Sequence, residues 1–199
     1  MKKTMMIGLF VVLVGTSVAS FAQHSIEDFP AGTTTMVYEI RSDEYIKPVT
    51  LALTIEVHED DTYRMNMSVN AEGTADQLEG FGFMFLGAGV STGSGEDISY
   101  SALEALFNRS ELLEEGEDYI LPKGGSFNEI VSVEIASVWC LEGVLVDPDN
   151  PDVRTTVAFA LTYPVYSSPR LMVQERVDGE WTTTFSMELT EYVHTTPEG

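Results

Sequence analysis

Val49, Leu51, Leu53, Ile55 and Val57 occupy every second position, with Thr50, Ala52, Thr54, Glu56 and His58 between them. Side chains alternate between the two faces of a strand, so this spacing predicts one apolar face and one wetter face. After Glu59-Asp60-Asp61 the alternation resumes as Tyr63, Met65, Met67 and Val69, which predicts an antiparallel hairpin turning on three acidic residues. Met36, Tyr38 and Ile40 alternate in the same way upstream. Three strands therefore open the domain.

The second half repeats the pattern in runs at 130–135, 139–146, 155–161, 171–177 and 181–193, all rich in β-branched and aromatic residues. Asp178-Gly179 separates the last two. A type I′ turn needs positive φ at both central residues, and Asp-Gly supplies that at low cost, so a second hairpin is expected there. The final strand sets Phe185, Met187 and Leu189 against Thr184, Ser186, Glu188 and Thr190.

Between the halves the period is lost. Phe81-Gly82-Phe83-Met84-Phe85-Leu86-Gly87 is apolar and punctuated by glycine, and a Ser/Thr/Gly run follows at 91–95. Leu103, Leu106, Phe107, Leu112 and Leu113 then fall at mostly helical spacings, with Gly116 as a stop. A helical segment is expected around residues 97–115. The expected fold class is mainly β (α+β), a strongly curved antiparallel sheet or incomplete barrel with a short helical insertion. No repeat or long linker divides residues 23–199, which read as a single domain.

The first 22 residues are separate material. Lys2 and Lys3 precede an apolar run from Met5 to Val14, and Ser20-Phe21-Ala22 forms a small-x-small cleavage site. This is the pattern of a secretory signal peptide, with a run too short to span ~30 Å of hydrocarbon. Cleavage after Ala22 is expected to leave no transmembrane segment, in a secreted or periplasmic protein. Cys140 is the only cysteine. It excludes an intrachain disulfide and the lipid attachment site of a lipoprotein, and its apolar neighbours predict an inert buried thiol.

In outline the signal peptide, alternating strands and short helical segment resemble the LolA-type periplasmic carriers of lipids and lipoproteins. The resemblance is architectural, covers most of the mature chain and carries over no binding residue. It implies a curved sheet whose apolar hollow is plugged by short helices. Glu134-Ile135-Ala136-Ser137-Val138 also resembles a pattern in exported β-rich bacterial proteins of unknown function.

Charge narrows the partners. Ten Lys and Arg stand against 32 Asp and Glu, a net charge of −22. Such a surface repels phosphate backbones and anionic lipid surfaces, so no nucleic-acid partner is expected. Forty-four per cent of the residues are hydrophobic, which sets the chain apart from disordered acidic tails. The acids are spread along the whole length, as in proteins that stay soluble in concentrated salt, and adaptation to a saline habitat is an expectation to test.

Chemistry-bearing motifs are sparse. Gly89-Val90-Ser91-Thr92-Gly93 fits G-x-S-x-G, with Asp147, Asp149 or Asp152 and then His194 following in hydrolase order. Gly93 and Gly95 stand where the helix of a nucleophile elbow should begin, and the chain lacks the βαβ pattern of that fold. A small serine hydrolase using Ser91 is therefore a rival reading only. Asp147, Asp149 and Asp152 alternate as calcium ligands can, but the sixth and twelfth positions of an EF-hand loop hold Asp152 and Ala158. His24, His58 and His194 show no metal-ligand spacing, so no metal or other cofactor is expected.

What stands out is the apolar face. Met65, Met67 and Met187 occupy it, and Phe83 and Phe85 lie in the glycine-rich stretch. Thioethers and aromatic rings accept apolar ligands of varied shape. The expectation is a non-catalytic binding module for an apolar or amphipathic small molecule or lipid, with those five residues as the ligand-binding candidates. The other rival is an envelope structural or interaction protein.

Overall fold

The computed structural model describes residues 24–43, 45–74, 78, 106, 113–121 and 124–197. After a 3-10 turn at Ile26–Asp28, nine strands form one sheet: β1 Gly32–Ser42, β2 Val49–Val57, β3 Tyr63–Asn70, β4 Tyr119–Ile120, β5 Ser126–Ile135, β6 Val138–Asp147, β7 Asn150–Ala160, β8 Arg170–Val177 and β9 Glu180–Thr195. Their order is β3-β2-β1-β9-β8-β7-β6-β5-β4, every neighbour antiparallel. The sheet is curved and unclosed, and the described residues hold almost no helix. This is the mainly β architecture that the alternation predicts.

Local chemistry explains the hairpins. At β2–β3, the Asp60 carboxylate accepts from both the backbone N–H and the hydroxyl of Thr62, at 3.2 and 2.6 Å, while Asp61 takes φ 57°. The side-chain hydrogen bond from Thr62 is the main cause holding the Asp60 carboxyl below its ordinary value. At β8–β9, Val177 pairs with Glu180 across Asp178 and Gly179, whose φ values are 52° and 87°. The Asp-Gly turn is present as expected. At β5–β6 the same geometry is built from Ala136 and Ser137, φ 48° and 66°, residues that carry no such signal.

Irregularities bend the sheet. The ladder shifts between Val37 and Tyr38, Asn128 and Val131, Val146 and Asp147, and Val173 and Gln174. Each extra residue increases local twist and turns the strand. At the first shift the hydroxyl of Thr190 donates to the Val37 carbonyl at 3.1 Å, so a side chain serves a carbonyl at the break.

On the core face, Met36, Tyr38, Leu53, Ile55, Phe127, Val157, Phe159 and Leu189 are at most 2% exposed. Leu106 and Leu113 belong to the same buried cluster. They lie in the connection from β3 to β4, which joins the sheet's two opposite edges. Most of the expected 97–115 helical segment, like the signal peptide, falls outside the described residues.

The β7–β8 connection packs over β1 and β9. His24 Nδ1 lies 3.2 Å from the Val165 backbone N–H, the Tyr38 hydroxyl donates to the Ser167 carbonyl at 3.3 Å, and Tyr163 stacks on Tyr192 at 5.5 Å. Burial raises the Tyr38 phenol well above its ordinary pKa.

Candidate functional site

Register places Met65, Met67 and Met187 on the core face, but not side by side. Met67 of β3 pairs with Leu53, which pairs with Met36 and so reaches Tyr192. Met65 pairs with Ile55, in the row of Thr34 and His194. Met187 of β9 pairs instead with Ile40 and Leu171, three strands from β3.

Their environments differ too. Met187 and Met65 are half-buried against the core, whereas Met67 is 50% exposed. Tyr63 and Val69, which flank these methionines on β3, are each 36% exposed. The corresponding positions of β2, and Thr34, Met36 and Tyr38 on β1, are buried. The apolar face is therefore closed in the middle of the sheet and open along the β3 edge, where four alternating side chains form a greasy lip. Phe83 and Phe85 lie outside the described residues.

The residues of the rival motifs are held separately. Ser91 also lies outside the described residues. His194 has Nδ1 3.0 Å from the Thr34 hydroxyl. Asp147 accepts from the Asp149 backbone N–H at 2.9 Å within the β6–β7 turn, and Asp152 lies 3.7 Å from Arg176. Among the described residues none of these aspartates is hydrogen-bonded to His194, and no group of three or more His, Cys, Asp or Glu side chains is placed to hold a metal ion. Pro148 and Asp149 form a tight turn: β7 begins already at Asn150, paired with Asp147.

Cys140 is fully buried, and its thiol donates to the Val138 carbonyl at 3.3 Å. Burial, with a smaller contribution from the Glu142 charge, pushes the thiol up to about 12. The thiolate that a nucleophile or soft-metal ligand needs is thus disfavoured at neutral pH.

The outer face carries a group that sequence reasoning missed. Arg154 of β7 lies with its guanidinium 4.5 Å from the centre of the Trp181 ring, and Arg176 sits 4.6 Å from the same centre. Arg170 bridges Glu142 on β6, at 2.6 Å, and Glu188 on β9, at 2.9 Å. A cavity of about 690 Å³ opens on this face from the β5 irregularity to β8. These residues are scattered from 142 to 188, and only the ladder brings them together.

The fold defines an open, curved antiparallel sheet with a buried apolar face. No family model matches the chain, and no curated protein matches it. Among solved structures, a crystal structure of MucB matches at a TM-score of 0.44 and 10% identity, over 91% of this chain and 58% of the other. The chain thus spans a little over half the length of that structure. No helix among the described residues is long and apolar enough to cross a membrane.

Proposed function

We propose that the protein is a non-catalytic binding module, secreted or periplasmic, that holds an apolar or amphipathic molecule against the core face of its sheet. The supporting observation is the lip on β3. Tyr63, Met67 and Val69 stay exposed on an edge strand, on the face whose continuation across β2 and β1 is buried. An apolar edge of this kind is a hazard unless something covers it. Burying the exposed parts of Met67 and its neighbours contributes roughly 25 cal/mol per Å² of apolar area removed from water. Flexible thioethers at Met65 and Met67 suit guests of varied shape.

The test is solvent extraction of the purified protein with mass spectrometry, followed by titration of a fluorescent fatty acid. A co-purifying apolar species and saturable binding that Met67→Asp weakens about tenfold, with the circular dichroism unchanged, supports the reading. Absence of both overturns it. Ester hydrolysis abolished by Ser91→Ala would overturn it in favour of the hydrolase.

A further inference from the structure

Arg154 breaks a rule that the other described Lys and Arg residues keep. Among the described residues Arg41, Lys47, Arg64, Arg170 and Arg176 each have a carboxylate within 4 Å. In a chain with 32 acids and ten basic residues that is the expected outcome. Arg154 has none. Its Nε donates to Gln174 Oε1 at 2.9 Å and its plane rests near Trp181, which together restrain a side chain that would otherwise sample many rotamers. Neither Nη has a hydrogen-bond partner among the described residues. The guanidinium is thus held in place with two donor groups that no described residue takes up.

Arg154 lines the outer-face cavity of about 690 Å³, a volume within the range of small-molecule sites. The floor is the row Val144, Thr156 and Met172, adjacent positions on β6, β7 and β8. Ile130, beside the β5 irregularity, is buried behind this floor, and the Gly116 N–H donates to its carbonyl at 3.0 Å. At the β5 end stand Asp118 and Glu129, both exposed, with Glu129 at φ 56°. Glu142, also in the lining, is occupied by Arg170. Among the described residues one end therefore presents a cation with no carboxylate partner, the other two carboxylates with no ion pair, and Val144 and Met172 lie between them.

We propose that this cavity binds a short apolar peptide with free termini, its carboxylate on Arg154 and its ammonium group at Asp118 and Glu129. A simple anionic amphiphile would satisfy Arg154 but would meet repulsion at the far end, whereas a zwitterion satisfies both. Arg154 and Glu129 are two strands apart and about three residues offset, a backbone span on the order of 14 Å that the Arg154 side chain shortens. An extended chain covers roughly 3.3–3.6 Å per residue, so the fit is three or four residues. The guanidinium fork suits a carboxylate. This site lies on the face opposite the β3 lip and is independent of it.

The experiment is titration with Leu-Ala-Leu, followed by the fluorescence of Trp181, whose ring lies next to Arg154. The expected result is saturable binding that N-acetylation and C-amidation each weaken about tenfold and that Arg154→Gln abolishes. Glu129→Gln, on the exposed rim, should reproduce the effect of N-acetylation with the circular dichroism unchanged, so a folding defect in Arg154→Gln leaves the proposal open to refutation. Equal binding of capped and free peptide overturns it. So does saturation by decanoate with no response to Leu-Ala-Leu.

Discussion

The ring of Phe127 lies so close to the Cα of Gly143 that a Cβ built on Gly143 would sit 2.5 Å from the ring's ζ carbon. Phe127 is fully buried and meets Phe159 edge-on at 5.7 Å, so the ring has little room to retreat. Gly143→Ala is therefore expected to destabilise the fold by about 1–3 kcal/mol, the usual penalty of overpacking. Urea unfolding measures it. Phe127→Leu in the same chain should recover part of the loss.

Ser137 is a non-glycine residue in left-handed conformation, φ 66°, in the turn between β5 and β6. The left-handed region costs most L-residues about 1–2 kcal/mol, partly offset by the greater flexibility of glycine in the unfolded chain. Ser137→Gly should stabilise the protein by about 0.5–1 kcal/mol, read as a higher unfolding midpoint. No change would mean that the turn is not under strain.

Arg170 ties β6 to β9 through Glu142 and Glu188. Desolvation works against its charge, but the hydrogen bonds to Glu188 and Glu142 prevail and raise the guanidinium above its ordinary pKa. Arg170→Gln leaves the partly buried Glu142 without its partner, an expected loss of about 1–2 kcal/mol after allowance for solvent screening. Glu142→Gln combined with Arg170→Gln should cost less than the sum of the two single changes.

The buried thiol of Cys140 predicts both reactivity and pH dependence. Ellman's reagent should modify it slowly in native protein and fast in urea. Its folded pKa of about 12 lies above the ordinary 9.0. Between these values the folded state retains a proton that the unfolded state has lost, so stability falls as pH rises through that window. Tyr38, also raised by burial, adds to the fall above its ordinary 10.0. Cys140→Ala should flatten the slope between pH 9 and 12; an unchanged slope would remove Cys140 as its source.

The spread of acids predicts a salt response. At low ionic strength the net charge of −22 opposes compaction, and screening relieves that repulsion over about 10 Å at 0.1 M salt. The unfolding midpoint should rise from low to molar NaCl. A falling midpoint would count against saline adaptation.

The strands were legible where one face is buried. Val49 to Val57 alternates because water wets one side only, and Asp178-Gly179 marks its turn through backbone sterics alone. The turn at Ala136 and Ser137 was not legible, since tertiary pairing of β5 with β6 holds two residues there against their preference. The two-residue strand β4 leaves no period to read. For the candidate site, alternation identified the face of Met65, Met67 and Met187 but not that the first two border an open edge while the third lies inside the sheet.

Sequence alone determined the mainly β class, the buried face of strands such as β2 and the burial of Cys140, because side-chain direction and hydropathy act over neighbouring residues. Tertiary structure decided the order of the nine strands, the exposure of Met67 and the meeting of Arg154 with Trp181 and Gln174. Those depend on register between segments far apart in the chain, and local periodicity holds no information about which strand becomes whose neighbour.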